Sequence, residues 1–299
     1  MKVVYSAKYG ADIGEHVFAT EKYEAVYKEV LKRGLARPED VLEPAMPAYE
    51  AFVGFFDPTY LEDLKAARYT DRTALSELPV KREVIDANLL GAAGTLLAAE
   101  VAMKDGVCVH IGGGLHHAHR DHAEGFCYVN DLAYAIWRLK RDGKIKTATV
   151  IDCDLHQGNG TAAYFRRDPD VFTFSMHQEN NYPMPKEKST LDIGLDDGTG
   201  DEEYLVALSG ALDDIFRGGR RYDLALYQAG VDVYEHDQLG GLRLTKAGIR
   251  RRDEKVLGEC RRRGIPVAVT FGGGYPYDFK DLVFLHTQTV EVALALSTS

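Results

Sequence analysis

Short, nearly continuous apolar runs of β-type composition alternate with longer helical patterns along the whole chain. Apolar runs of this kind are typical of parallel strands that are covered on both faces, because neither face of the strand meets water. Their alternation with helices predicts an α/β domain with a mainly parallel central sheet and helices on both faces. The predicted strands are 2–5, 107–111, 147–152, 171–175, 223–228 and 266–271, and the predicted helices are 21–33, 59–68, 87–104, 130–141, 201–217 and 246–263.

The chain shows no linker, repeat or low-complexity segment, so its 299 residues predict one domain over 1–299. Residues 178–200 form the longest predicted loop, and a loop of that length in a compact domain is often functional. The N-terminal residues lack the apolar core of a signal peptide. The most apolar stretch, 89–103, carries Glu100 and is shorter than a bilayer span, which predicts a buried helix. We therefore expect a cytoplasmic protein without a membrane partner.

Acidic residues outnumber basic ones, 46 against 36, which gives a formal net charge of −10. Direct binding to nucleic acid needs a basic surface, so this balance argues against it. An acidic protein suits a cationic substrate. The four cysteines show no paired spacing and are predicted to be reduced thiols.

Most of the reactive side chains come directly after predicted strands, and seven of the ten histidines lie between positions 110 and 177. In open α/β sheets, ligands bind beyond the carboxyl ends of the strands. Asp152, Asp154 and His156 alternate at the end of one strand, and alternate side chains of an extended segment share a face. Asp232 follows another strand. Two carboxylates and one imidazole predict a catalytic zinc site, although the same donors also accept iron(II) or cobalt.

Two further motifs follow triple-glycine segments. His116 and His117 are adjacent after 112–114, and two imidazoles can serve a nearby water as general base and general acid. Each needs a partner on its far nitrogen, for which Asp152 and Asn159 are the candidates. Tyr275 follows 272–274, where its hydroxyl can polarise a carbonyl and stabilise an oxyanion.

Four segments together resemble the signature motifs of the zinc-dependent histone deacetylases and their bacterial relatives. They stand in the family's order: GGGLHHAHRDHAEGFCYVND (112–131), IDCDLHQGNGTAAYF (151–165), YQAGVDVYEHDQLG (227–240) and FGGGY (271–275). HVFATEKYE (16–24) is similar to the family's His-Pro-Phe segment, and HQGNG resembles the class IV branch. The resemblance implies the arginase/deacetylase fold and a single deacetylase-like catalytic domain.

The resemblance also implies roles for individual residues. Asp154, His156 and Asp232 match the zinc ligands, and His116 and His117 match the tandem catalytic histidines. The remaining matches are Asp152 behind the first histidine, Asn159 behind the second, Tyr275 as the carbonyl-polarising tyrosine, Gly125 and Phe126 as floor and wall of the acyl-lysine tunnel, and Tyr182 as the opposite wall.

Structural potassium sites are a further property that the resemblance implies. One set comprises Asp152, Asp154, His156, Ser175 and Met176, and the second comprises Phe165, Asp168, Val171 and Tyr204. His119 and His122 match no catalytic position and are interpreted as loop residues.

These observations predict a zinc-dependent hydrolase that removes an N-acyl group, in the simplest case acetyl, from lysine side chains of a peptide or protein. Iron(II) is the alternative metal, and an acylated polyamine is the alternative substrate. An arginase-like ureohydrolase would need two metals, whereas the chain offers one clear set of three ligands. A non-catalytic acyl-lysine binding module would not need the complete set of reactive residues, and a cysteine nucleophile would have to come from buried motif positions.

Overall fold

The structure, a computed structural model, describes residues 1–298, and within them eight strands form one sheet in the order β2-β1-β3-β8-β7-β4-β5-β6. All neighbouring strands are parallel. The predicted α/β fold class is confirmed, and the sheet is entirely parallel. The strands are β1 (Val3–Val4), β2 (Val41–Leu42), β3 (Val107–His110), β4 (Ala148–Asp152), β5 (Val171–Gln178), β6 (Leu191–Leu195), β7 (Leu224–Gln228) and β8 (Val267–Thr270).

Two groups of helices pack against the sheet. Helices α4 and α9 both pack against β3, and each has its own helical neighbours, α5 for the first and α1 and α8 for the second. The helices are α1 (Lys22–Lys32), α2 (Pro58–Lys65), α3 (Asp71–Ala74), α4 (Arg82–Asp105), α5 (Asp131–Arg141), α6 (Asn159–Phe165), α7 (Asp201–Ile215), α8 (Lys246–Arg262) and α9 (Phe279–Thr298). The last position of the predicted domain, residue 299, lies outside the described residues.

Several elements differ from the predictions. Strand β6 lies inside the predicted loop 178–200. It is an edge strand that pairs only with β5 and is partly exposed to water, so its sequence lacks the continuous apolar run that marks the buried strands. The two-residue strand β2 is too short to give a pattern. Helix α6 begins with Asn159-Gly160, which hides its helical signal, and α9 was not predicted.

Helix α4 contains the apolar stretch 89–103 and extends it to 24 residues. It is the one helix among residues 1–298 that is long and apolar enough to cross a membrane, so the argument that the stretch is too short for a span is wrong, whereas the predicted buried helix is found. Within its most apolar window, 61% of the residues are buried inside the protein. The helix packs against α5 and β3, as a core helix does.

Because all strands are parallel, their carboxyl ends meet at one edge of the sheet, where β3, β8, β7 and β4 are consecutive neighbours. The two triple-glycine segments run backbone against backbone there, with the amide of Gly272 donating to the carbonyl of Gly113 at 3.2 Å. A Cβ on Gly114 would lie 2.5 Å from the Cα of Gly272. Glycine at this point therefore allows the loop after β3 to approach the loop after β8.

Candidate active site

Three potential metal ligands converge at the ends of the neighbouring strands β4 and β7. Nδ1 of His156 lies 3.3 Å from Oδ1 of Asp154 and 3.1 Å from Oδ2 of Asp232. All three side chains are buried. Their donor atoms lie within 4.8 Å of one another, so one ion can contact all three.

Backbone amides hold the two carboxylates in place. The amide of Leu155 donates to Oδ1 of Asp232 at 2.8 Å, and the amide of Gly273 donates to Oδ2 of Asp154 at 2.8 Å. Each carboxylate thus has one oxygen fixed by the main chain and the other turned toward His156. Such supporting contacts orient ligands before a metal binds.

The electrostatics of this cluster favour a bound cation. Burial and the neighbouring Asp154 raise the pKa of Asp232 to about 6. Burial opposes a charge on His156, but the hydrogen bonds to both carboxylates raise its pKa to about 10, so the imidazole retains a proton. Two carboxylates and an imidazole suit zinc or iron(II), and the ligands of a tetrahedral zinc site stand about 3.3 Å apart. The residues present therefore fit a divalent transition-metal ion, which would replace that proton.

The tandem histidines lie beside this cluster, with ring centroids 4.1 Å apart. Nδ1 of His116 is 2.7 Å from Oδ2 of Asp152, and Nδ1 of His117 is 2.7 Å from Oδ1 of Asn159. An amide oxygen only accepts hydrogen bonds, so Nδ1 of His117 donates and its Nε2 carries the lone pair. The structure thus brings both predicted pairs together.

The two imidazoles differ in charge because their partners differ. Burial lowers the pKa of His117 well below its usual value, and the neighbouring His116 and His156 lower it further. Burial also opposes a charge on His116, but Asp152 and Asp154 raise its pKa to about 9. A metal ion at the adjacent cluster would oppose protonation of His116. Without a metal ion, these pKa shifts favour a neutral His117 and a protonated His116.

Glu124 links Asn159 to the wall of the site, a role that the sequence patterns do not indicate. Its Oε1 accepts from Nδ2 of Asn159 at 2.8 Å and from the hydroxyl of Tyr182 at 2.9 Å. The first contact fixes the orientation of the Asn159 amide, with its oxygen toward His117. Glu124 precedes Gly125 in the motif, and no local pattern distinguishes it from a solvated surface glutamate.

Tyr275 is buried, and its main chain is held on both sides. Its amide donates to Oδ2 of Asp237 at 2.7 Å, and its carbonyl accepts from Nε2 of Gln238 at 2.9 Å. Burial, followed by the charges of Asp232 and Asp154, raises the pKa of the Tyr275 phenol well above its usual value. This shift favours a protonated hydroxyl that can act as a donor.

A cavity of about 200 Å³ leads to these groups, and all three predicted tunnel residues, Gly125, Phe126 and Tyr182, line it. A Cβ on Gly125 would lie 2.6 Å from Cδ2 of His117, so only glycine fits against this imidazole. Phe126 has a φ of 65°, a conformation that is rare for a residue with a side chain and common at functional sites. Other wall residues are Phe18, Glu77, Leu115, Asn181 and Leu239, and the inner end is formed by His116, His117, Asp154, His156 and Tyr275.

The N-terminal segment contributes to the site through Lys22 as well as Phe18. Lys22 is fully buried at the start of α1, and its Nζ donates to the carbonyl of Gly272 at 2.7 Å. Burial lowers its pKa to about 8, although Asp232 and Asp154 oppose this. Lys22 lies on the same face of α1 as Val26 and Val30. A charged residue on an apolar helix face is unusual, so this spacing in the sequence indicates a buried lysine with a specific role.

The first predicted potassium set lies at the carboxyl ends of β4 and β5. Asp152 and Ser175 face each other in the register of β4 and β5. Both oxygens of Asp152 already have partners, since Oδ1 accepts from the amide of Asp154 at 3.1 Å and Oδ2 faces His116. Met176 follows Ser175 on β5 and is buried. Potassium binding by this set, which also includes His156, stays a prediction.

The second predicted potassium set is differently arranged. Phe165, Asp168 and Val171 follow one another in a turn after α6, while Tyr204 is buried on α7. Both carboxylate oxygens of Asp168 accept from Nζ of Lys140, at 2.8 and 2.6 Å. A cation of the chain thus already neutralises this carboxylate, and potassium binding here also stays a prediction.

Comparison with known proteins agrees with this arrangement. The sequence model of the histone deacetylase domain matches residues 16–289. An uncharacterized protein from Picosynechococcus sp. is 37% identical over 287 residues, which cover 95% of each chain. Histone deacetylase 2 of Arabidopsis thaliana is 29% identical over 92% of this chain and 74% of its own length. A probable deacetylase of Methanothermobacter thermautotrophicus is 28% identical over 92% of this chain and 86% of its own length.

The domain match spans β3 to β8 and therefore includes every strand end that carries a reactive group described above. The predicted family resemblance is confirmed by this match and by the relatives named histone deacetylase or probable deacetylase. The chain belongs to the histone deacetylase family of hydrolases.

Proposed function

We propose that this deacetylase is metal-dependent and hydrolyses the N-acetyl, or another short N-acyl, amide of a lysine side chain or a related amine. The observation that carries the proposal is the convergence of a neutral imidazole, a protonated imidazole and a buried phenol at the inner end of one narrow cavity. Together they supply a base, an acid and an oxyanion donor around one amide.

Asp154, His156 and Asp232 would hold the metal ion, zinc or iron(II), and the ion would supply positive charge that polarises the acyl carbonyl and acidifies the attacking water. Nε2 of His117 takes a proton from that water, because Nδ1 is committed to Asn159. The water oxygen then bonds to the acyl carbon.

Two other side chains complete the reaction. The Tyr275 hydroxyl donates to the oxygen on which negative charge develops. Protonated His116 gives its proton to the amine as the carbon–nitrogen bond breaks, and the products are a carboxylate and a free amine. Asp152 stabilises the imidazolium until that transfer.

The cavity walls support an aliphatic amine as substrate. The aromatic rings of Phe18, Phe126 and Tyr182 suit the methylene stem of a lysine side chain. Glu77 also lines the cavity, and its carboxylate favours a second cationic nitrogen on the substrate. For that reason an acetylated polyamine is the second candidate substrate.

A panel of acyl-lysine peptides and acylated polyamines, assayed after reconstitution with zinc and separately with iron(II), tests the proposal. We expect equal amounts of carboxylate and free amine, with no turnover in Asp154→Ala. The matched control is Asp213→Ala, which removes an exposed carboxylate on α7 and should leave turnover unchanged. Release of urea from guanidino compounds, or equal turnover by Asp154→Ala, would contradict the proposal.

A further inference from the structure

The segment 119–124 carries a second cluster of potential ligands that the reaction above does not use. Nε2 of His119 lies 3.2 Å and Nε2 of His122 lies 3.4 Å from Oε2 of Glu124. The two imidazoles are stacked, with centroids 4.4 Å apart and planes inclined by 11°. The amide of His119 donates to the carbonyl of His122 at 3.0 Å, and this turn holds the rings side by side.

The contacts of His122 with two carboxylates favour positive charge at this cluster. Nδ1 of His122 lies 2.8 Å from Oδ1 of Asp121, so Nδ1 carries the hydrogen. In neutral His122 the lone pair of Nε2 then faces a carboxylate oxygen of Glu124. Two acceptors face each other in that state, and either a proton or a metal ion between them resolves the conflict.

The donor set is one that divalent transition metals favour. Two imidazole nitrogens and a carboxylate oxygen form a common zinc ligand set, and their donor atoms lie within 4.8 Å of one another. A carboxylate behind a ligating histidine, here Asp121 behind His122, is typical of metal sites. The side chains of His119, His122 and Glu124 are 14%, 27% and 19% exposed, so an ion can enter and keep water as a further ligand.

We propose that His119, His122 and Glu124 form a second divalent-metal site, selective for an imidazole-preferring ion such as Zn²⁺. The site is separate from the Asp154 cluster. It is connected to His117, the proposed base, through Glu124 and Asn159. Oε2 of Glu124 faces the two histidines, whereas Oε1 binds Asn159 and Tyr182. An ion there shares Glu124 with the contacts that orient His117.

Zinc titration of the metal-free protein, followed by calorimetry and by metal analysis after equilibrium dialysis, tests this site. We expect two equivalents of zinc for the wild type and one each for His119→Ala, His122→Ala and Asp154→Ala. Asp154→Ala with His122→Ala should bind none. The matched control is His236→Ala, an exposed histidine outside both clusters, which should bind two equivalents.

A milder variant controls for the possibility that the alanine variants lose zinc only because they misfold. Asp121→Asn leaves all three ligands in place and should weaken the second equivalent by roughly 10- to 100-fold, because it removes the carboxylate behind a ligating histidine. Binding of a single equivalent by the wild type, or of two by both His119→Ala and His122→Ala, would overturn the proposal. The Asp154→Ala background separates this result from the proposed function, since the second site is measured there without the catalytic cluster.

Discussion

Gly273→Ala should disrupt the Asp154, His156 and Asp232 cluster although it removes no ligand. Gly273 lies in the loop after β8, and an added Cβ would stand 2.1 Å from Oδ2 of Asp232 and 3.0 Å from Oδ2 of Asp154. Gly273 is not among the glycines with a left-handed backbone, so alanine meets only a steric obstacle. The variant therefore tests whether the position of the carboxylates matters for metal binding.

The size of the effect follows from the contacts of the two carboxylates. The Asp232 oxygen must move by about 0.9 Å to reach 3.0 Å from the new methyl group, whereas metal–ligand distances tolerate about 0.2 Å. Moving Asp232 breaks the hydrogen bond that its carboxylate accepts from the Leu155 amide. Moving the loop breaks the hydrogen bond that the Gly273 amide donates to Asp154. Either bond to a charged group contributes about 1.5–3 kcal/mol. Metal affinity should fall by roughly 10- to 100-fold, since 1.4 kcal/mol is about tenfold.

Metal content after dialysis against buffered zinc, together with urea unfolding of the metal-free protein, measures both effects. The matched control is Gly258→Ala in α8, where an added Cβ meets nothing within 4 Å. This control should keep its metal and gain about 0.5–1 kcal/mol, because alanine stabilises a helix interior relative to glycine. Wild-type zinc affinity in Gly273→Ala would refute the assignment of Asp154 and Asp232 as ligands.

Three further predictions concern single side chains. Tyr275→Phe should keep metal and fold but lose about 100- to 1,000-fold in kcat, and a rate within a few-fold of wild type would exclude the hydroxyl as oxyanion donor. Asn159→Asp puts a carboxylate against His117, which raises the pKa of the base, so the acid limb of kcat/KM should move to higher pH at matched metal content; an unmoved or lowered limb contradicts this. Arg252→Ala leaves Asp253 buried without its cationic partner and should cost about 3–5 kcal/mol in urea unfolding, and a loss below about 1 kcal/mol would contradict that pairing.

The sequence determined the fold class and the place of the site, for a local physical reason. A strand covered on both faces must be apolar throughout, so the parallel sheet is visible as periodicity. Parallel strands end at one edge, and Asp154, His156 and Asp232 could therefore be grouped although 76 residues separate the last two. The family resemblance added the roles of Gly125 and Phe126, which no periodicity indicates.

Other features depended on the tertiary structure. Asp57 accepts from the amide of Thr59 at 2.9 Å and caps α2. Lys22 reaches the carbonyl of Gly272 across 250 residues, and Tyr182 reaches Glu124 across 58. Sequence patterns report the burial of a residue's own strand or helix, whereas these contacts depend on how separate elements pack. Packing alone decides which polar atoms meet, because each buried polar group must find a partner wherever the fold provides one.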